Sequence, residues 1–418
     1  MFTCEDIVEK ARENQVKTLC LQFTDIFGVL KNVTLPLTDL DRALAGQIYF
    51  DSSVVDGVVR RREQDIIFLP DISTFAIFPW QPMGRGMAGF VCDVCNLEEM
   101  PYQGCSRSVL QQVLDEAAKM GFEILVGADV QFYLFKINNS GKPITETHDR
   151  AGFCDMKPVN LGENLRRDIL LSLRDIGLDA GPSYHEVGPG QHKIAFKTDN
   201  ALALADKLVT SKFILRAIAR RHGLYASMMP KPLNGRAGSA MIFHVFPCHR
   251  GFLREARHFI GGVLDHTRAN TAITNPLINS YKRLMTGELT PMQVTWSEDN
   301  RNAVLRVMMN QGEVTRVDVR NPDPACNPYL ALAVIIKAGL DGIQKQLELP
   351  SPQRHDERGA LLPRTLGEAL SEFDSNQLAK DVLGKYIYHI FAEAKSEEWE
   401  RFQTHVHPWE LQEYLTIS

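Results

Sequence analysis

Three groups of residues in this 418-residue chain have side-chain types and spacings that chemistry uses. The first is GADVQFYLF, Gly127 to Phe135. As a strand it sends Asp129, Gln131 and Tyr133 to one side and Ala128, Val130, Phe132 and Leu134 to the other. A polar row holding a carboxylate and an amide, backed by an apolar row, fits a strand that lines a cleft; half-buried strands with no site alternate in the same way. The second is HEVGPGQHK, where Glu186 and Lys193 flank a glycine-bearing turn that can return both to one place. A plain salt bridge between the two is the expected relation, and a lysine of lowered pKa acting as base or nucleophile is the alternative. The third is an arginine group, Arg283, Arg301, Arg306, Arg316 and Arg320, read as lying in one strand-rich span. Guanidinium groups gathered on one face bind carboxylate or phosphate through paired hydrogen bonds, and a salt-bridged surface face is the competing reading.

The elements that must position these groups follow from periodicity and punctuation. Residues Glu5 to Asn14 read as an amphipathic helix, and Lys17 to Asp25 as a strand with Leu19, Leu21 and Phe23 on one face. Gly28 turns the chain into a second strand, and a short helix is expected over Asp39 to Leu44. The run from Tyr49 to Trp80 is read as strands cut by Pro70 and Pro79. From Ser106 the texture changes to a helix capped by Ser106 or Ser108, then the GADVQFYLF strand and a helix near Leu161 to Ile176. A strand near Tyr184 to Phe196, a helix from Ala201 to His222 and strands in LYASMMPK and SAMIFHVF come next. A helix at Leu253 to Ile273 precedes strands at Met292 to Trp296 and Val304 to Met308, with helices over Asn327 to Gln346 and Gln377 to Val406. The fold class is therefore α+β, with a small mostly-β domain over residues 1–100 and a larger domain with a mostly antiparallel sheet over residues 101–418.

Composition removes several classes. A formal net charge of −5 and a sequence pI near 6.2 argue against nucleic-acid or anionic-membrane partners. No apolar run reaches the length of a membrane span, and the acidic, amphipathic MFTCEDIVEK does not read as a signal peptide, so a cytoplasmic protein is expected. The eight cysteines read as free thiols; Cys92 and Cys95 form a CxxC inside a strand-like run, without a second pair at zinc-binding spacing.

LQFTDIFGVLKNV, FDSSVVDGVVRR, HEVGPGQH, MPKPLNGRAGS, NPLINSYKRL, RVDVRNPDPACNPYLALAVIIKAGLDGI and VHPWELQEY resemble, in family order, the glutamine synthetases, most closely the bacterial type I form. The resemblance spans nearly the whole chain. It implies an N-terminal β-grasp domain, a catalytic-type domain whose sheet and helices form a funnel, and a homododecamer of two hexameric rings tied by the C-terminal segment. It also implies ATP-dependent joining of ammonia to glutamate with magnesium or manganese at the site. Asp51 matches the N-domain aspartate that reaches a neighbouring site, and Arg301 a catalytic, phosphate-side arginine. Arg283, Arg301, Arg320 and Gly238 match substrate-binding positions, and Arg306, Arg316 and His244 fall on the nucleotide and phosphate side.

The metal positions depart from the family pattern. Its paired glutamates GxExEF are Asp129 and Gln131 here; the two glutamates of HEVxPGQHE are Glu186 and Lys193; the ligand histidine is Ile242; and the glutamate of RxExR is Asp318. Ala237 replaces a substrate asparagine and Phe246 a serine beside adenine, Leu289 stands at the flap glutamate with Glu288 adjacent, and SPQRHDERGALLP is shorter than the family's nucleotide cover. The expectation is a glutamine synthetase-like protein that holds no metal and makes no glutamine, but keeps an arginine-lined pocket for a small carboxylate or phosphate. A divergent ATP- and magnesium-dependent carboxylate–amine ligase, and a subunit that mixes with a true glutamine synthetase, are the alternatives.

Overall fold

The computed structural model describes residues 3–57, 64–78, 86–156, 158, 160–248, 252–285, 290–300, 302–311, 313–352 and 360–417. Pro79, Glu288, Leu289 and Arg301 lie outside the described residues. No helix among the described residues is long and apolar enough to cross a membrane.

The N-terminal part is a six-stranded sheet in the order Leu30–Pro36, Val16–Thr24, Gly86–Cys95, Asp65–Pro70, Tyr49–Asp51, with Ala76–Phe78 also paired to Gly86–Cys95. Val16–Thr24 runs parallel to Gly86–Cys95 and the other pairs are antiparallel. Leu19, Leu21 and Phe23 share the buried face, as their spacing of two requires, and Ile7 and Ala11 of the helix Cys4–Glu13 are fully buried in the same core. Ser53–Asp56, inside a stretch whose punctuation reads as strands, is a single helical turn.

The larger part is a nine-stranded sheet. Its path is Gln293–Ser297, Ala303–Asn310, Glu313–Val319, Met241–Cys248, Glu123–Ile137, Gln191–Asn200, Ala180–His185, and Leu224–Ser227 and Pro143–Thr147 also pair with the central Glu123–Ile137. Every pairing is antiparallel except that of the first two strands. Ala128, Val130, Phe132 and Leu134 of the central strand are 0–1% exposed. Burying each of the larger ones is worth about 1.5–3 kcal/mol, which fixes which face looks into the core. The helices Ser106–Lys119, Ala201–Arg221, Phe252–Thr274 and Pro328–Lys345 supply the apolar cover. Phe252–Thr274 and Pro328–Lys345 approach so closely that a Cβ on Gly262 would lie 2.2 Å from the Ala338 carbonyl oxygen, and one on Gly342 2.2 Å from that of His258.

Arg107 joins the two parts. Its guanidinium donates to Asp206 on the helix Ala201–Arg221 at 3.0 Å, to Asp93 of the small sheet at 2.7 Å and to Asp71 at 2.6 Å. Asn327, beside it, donates to the backbone oxygens of Asp25 and Ile26 and to Ser106 Oγ. Ser106 therefore spends its hydroxyl on Asn327, and the helix that follows has Cys105 at its N-cap with no side-chain cap. Two further expectations are corrected, and one helix is added. Tyr184 to Phe196 is a hairpin of two strands, because Gly188 to Gly190 turn the chain back on itself. Arg283 sits on a helix, Ile278–Leu284, rather than on a strand, and Leu366–Ser375 is a further helix.

Candidate functional site

Sheet register gathers the first two chemical groups on one face. Lys193 pairs with Gln131 on one side and Tyr184 on the other; Asp129 pairs with Ala195 and Ile242; His244 pairs with Gly127 and Asp318, and Asp318 with Arg306. Side chains two residues apart share a face, so Asp129 and Gln131, and Ile242 and His244, point the same way, while Met241, Phe243 and Val245 enter the core. Neighbouring rows are close enough for a long side chain to reach diagonally. That is how Lys193, opposite Gln131, reaches Asp129.

The contacts form a chain of alternating charge. Lys193 Nζ lies 2.7 Å from Asp129 Oδ2 and 4.8 Å over the Tyr184 ring. His244 Nε2 lies 3.5 Å from Asp129 Oδ1, and its Nδ1 2.7 Å from Asp318 Oδ1. Arg316 closes the other end, with Nε 2.6 Å from Asp318 Oδ1 and Nη2 3.1 Å from Oδ2. The expected partner of Lys193, Glu186, is taken instead by Gln131, which donates from Nε2 to Glu186 Oε1 at 2.9 Å and accepts at Oε1 from the Ala240 backbone at 2.8 Å. The amide at position 131 cannot repel Glu186 as a second carboxylate would, so Lys193 is free for Asp129.

Protonation follows from these partners. Burial alone would raise the Asp129 carboxyl, but the hydrogen bond with His244 and the Lys193 charge hold it below the usual range. Burial opposes the Lys193 ammonium too, and Asp129 outweighs it, so the lysine is raised and charged at neutral pH. The reading of Lys193 as a base or nucleophile of lowered pKa is corrected on this ground. Both ring nitrogens of His244 face carboxylate oxygens, which only accept; burial lowers its pKa, yet the bonds with Asp129 and Asp318 raise it overall. Asp318 is held low by His244 and Arg316 against the opposing effect of burial. Asp129, Asp318 and Glu186 thus face Lys193, Arg316 and, once protonated, His244, a charge balance of zero.

The arginine group divides. Arg283 is 2% exposed and donates from Nη1 to the Asn321 carbonyl at 2.7 Å and from Nη2 to the Arg320 carbonyl at 3.1 Å. Burial pulls its pKa down to about 10. Gly238 packs against it: a Cβ there would lie 2.7 Å from Arg283 Cγ and 2.8 Å from the Pro230 carbonyl oxygen. Arg283, Arg320 and Gly238 therefore form one group, and Arg316 belongs to the charge chain. Arg306, half-buried and opposite Asp318, donates from Nε to the Glu298 carbonyl at 3.2 Å. Asp51 lies on the edge strand of the small sheet, where its Oδ1 accepts from the Ser53 backbone at 2.7 Å.

The donor set is a poor match for the dications that the resemblance implies. Magnesium and manganese take octahedra of oxygen donors. Here Gln131 turns its N–H to Glu186 and has its oxygen engaged by a backbone N–H, Lys193 offers only N–H, Ile242 offers nothing, and both oxygens of Asp318 are paired. Sequence reasoning overlooked a second cluster built on the same hairpin and one upstream loop residue. Ligand atoms of Asp149, His185 and His192, all buried, lie within 4.8 Å of one another. Arg166 Nη1 sits 2.9 Å from His192 Nδ1, and since a guanidinium only donates, the ring proton falls on Nε2, turning the free nitrogen from a ligand into a donor. His185 places Nδ1 on the Glu186 carbonyl at 2.7 Å and Nε2 on Asp149 at 2.9 Å, so this cluster fixes the turn that carries Glu186. The two histidines of HEVGPGQHK were the available signal. Their partner Asp149, in a loop some 40 residues upstream, carried none.

Comparison with known proteins bears on the whole chain. Residues 15–97 match the glutamine synthetase β-grasp domain and residues 103–414 the glutamine synthetase catalytic domain. The glutamine synthetase of Staphylococcus aureus (strain Mu50 / ATCC 700699) is 42% identical over 438 aligned residues, covering 99% of this chain and 98% of that protein. That of Clostridium saccharobutylicum is 41% identical over 437, covering 99% of each. Among solved structures, GmaS in complex with ADP superposes with a TM-score of 0.88 at 26% identity, over 98% of this chain and 99% of that one. GmaS without ligand gives the same TM-score and identity over 99% and 100%. With both domains matched and relatives this similar along their full length, the chain belongs to the glutamine synthetase family.

Proposed function

We propose that this protein is a glutamine synthetase-family member whose metal-ligand shell has become an internally paired charge network, and that it does not carry out magnesium-dependent glutamine synthesis. One observation carries the reading: the Lys193 ammonium, 2.7 Å from Asp129, occupies the ligand shell with a protein cation. At an effective dielectric near 20, each unit of charge on an ion 4 Å away costs about 4 kcal/mol against that ammonium, so a dication meets roughly 8 kcal/mol of repulsion. Among the described ligand-shell positions, only Glu186 has a carboxylate with no cation at ion-pair distance.

What is retained is a pocket for a small carboxylate or phosphate, flanked by Arg306 and Arg320 with Arg283 and Gly238 behind, in a homododecamer. The assembly rests on the C-terminal helix Pro408–Tyr414 and the residues after it, where Trp409, Leu411, Tyr414, Leu415 and Ile417 are 49–77% exposed in the single chain, an apolar face that asks for a partner. The test is an assay for glutamine from glutamate, ammonium, ATP and magnesium with the purified protein. No product above background supports the proposal; ATP turnover that yields a glutamyl amide replaces it.

A second reading has its own support. The 42% identity to glutamine synthetases and the likeness to GmaS solved with ADP favour a carboxylate–amine ligase of altered metal use, with Glu186 and Asp51 as its surviving acidic groups. The same assay, run with alkylamines in place of ammonium, separates the two.

A further inference from the structure

The arginines that the sequence offers as an anion-binding wall are largely spent on the protein itself: Arg283 on two backbone carbonyls, Arg316 on Asp318 and Arg306, in part, on Glu298. Cations without such partners lie elsewhere. A cleft of about 890 Å³ opens between the end of the central strand at Lys136, the segment 145–150, the turn at Pro189 and the loop 233–236. Within it Lys136 is paired with Glu146. The carboxylate of Asp149 is fully engaged, Oδ1 by His185 at 2.9 Å and the Gly190 backbone at 3.0 Å, Oδ2 by the Leu161 backbone at 3.1 Å. Arg150 and Arg236 remain. Both are exposed, both line the cleft, and neither guanidinium makes a hydrogen bond or ion pair among the described residues. His148, half-buried, lines the same wall.

We propose that this cleft is a binding subsite for the carboxylate or phosphate group of a small ligand, held by Arg150 and Arg236 with His148 beside them. Two guanidinium groups in a concavity offer paired donors to a planar or tetrahedral oxyanion, and with Glu146 and Asp149 already neutralised no free carboxylate repels it. The walls are well anchored. Tyr133 donates to the Ala237 carbonyl at 2.6 Å, Gln191 to the Gly238 carbonyl at 2.9 Å, and Gly188 N–H to Gln191 Oε1 at 3.0 Å, which ties the loop of Arg236 and the turn of Pro189 to the central strand. A ligand seated here touches the loop that leads to Gly238, at Leu233, Asn234 and Arg236, and the turn that follows Glu186, at Pro189. This subsite is separate from the pocket at Arg306 and Arg320, and it does not require that pocket to bind anything.

The experiment is calorimetric titration of the full-length protein at low ionic strength, with inorganic phosphate and succinate as separate probes. At least one should bind to the wild type, and the probe that binds tells phosphate from carboxylate. Measured in the Arg320→Gln background, which disables the wall, the probe should still bind; adding Arg150→Gln/Arg236→Gln should weaken that binding tenfold or more, and adding Arg150→Lys/Arg236→Lys should retain part of it. Binding by neither probe overturns the proposal. So does binding in the Arg320→Gln background that survives the double glutamine substitution, and so does binding abolished by Arg320→Gln alone, which would place the anion at the wall instead. Both substitutions are of exposed side chains with no partner to lose, and an unchanged melting temperature shows that the fold is intact.

Discussion

Replacing Lys193 with methionine removes the charge and keeps most of the stem. Lys193 and Asp129 are each 14% exposed, so the variant leaves a largely buried carboxylate facing a thioether instead of an ammonium at 2.7 Å. Removing one partner of a buried ion pair costs about 3–5 kcal/mol. Here His244, 3.5 Å from the other oxygen of Asp129, goes on compensating part of the charge, which brings the expected loss to roughly 2–3 kcal/mol. With an unfolding entropy of about 2.1 cal/mol/K per residue, a chain of this length has about 0.9 kcal/mol/K, so the melting temperature should fall by about 2–3 °C. Asp129→Asn in the Lys193→Met background removes the stranded charge and should recover most of that loss, giving a coupling that differential scanning calorimetry of the four proteins reads directly. The loss should also be confined in pH. Lys193 is raised in the folded protein and stabilises it below the unfolded lysine value, a contribution lost as pH rises through the folded one; Asp129 is lowered and stabilises above the unfolded carboxyl value, a contribution lost as pH falls through the folded one. Wild type and variant should therefore differ on a plateau between about pH 4 and pH 10 and converge outside it. A Lys193→Met protein that melts within half a degree of wild type, or one that Asp129→Asn fails to rescue, refutes the charge chain as a structural unit.

Because His244 is raised in the folded state, its contribution is complete below about pH 6.5 and is lost as pH rises through its folded value; His244→Gln should flatten the fall in melting temperature measured across that range. Gly238→Ala should destabilise by about 1–3 kcal/mol in urea unfolding, since its Cβ meets a backbone oxygen that cannot turn away. Arg283→Ala should lower the melting temperature in calorimetry by freeing two buried carbonyls, each worth about 1–3 kcal/mol when left unsatisfied. Light scattering should give a particle of twelve subunits, and Trp409→Glu with Leu411→Glu should reduce its mass; a stable wild-type monomer or dimer ends that expectation.

How much of this was legible in the chain depends on the range of the interaction. The central strand, its polar row and the long helices are local patterns, and residues 123–137, 201–221 and 328–345 fold as their periodicity reads. The turn at Gly188 to Gly190 was legible as a turn, but the partner of Lys193 was not, because it is set by register with a strand more than 60 residues away and by a diagonal reach across two rows. The place of Arg283 was misread because its short helix, Ile278–Leu284, lies between strands and is held by tertiary burial, with Tyr281 and Leu284 in the core, rather than by a long amphipathic repeat. Arg107 gave no signal at all, since its three carboxylate partners come from segments that only the packed fold brings together.

The central claim is that protein cations now fill the ligand shell. Titration of manganese(II) into the wild-type protein at neutral pH, followed by the electron paramagnetic resonance signal of the free ion, tests it most directly. The charge network predicts no stoichiometric binding up to millimolar manganese, and appreciable binding in the Gln131→Glu/Lys193→Glu variant, which restores two carboxylates to the shell. Stoichiometric, micromolar binding by the unmodified protein would contradict it.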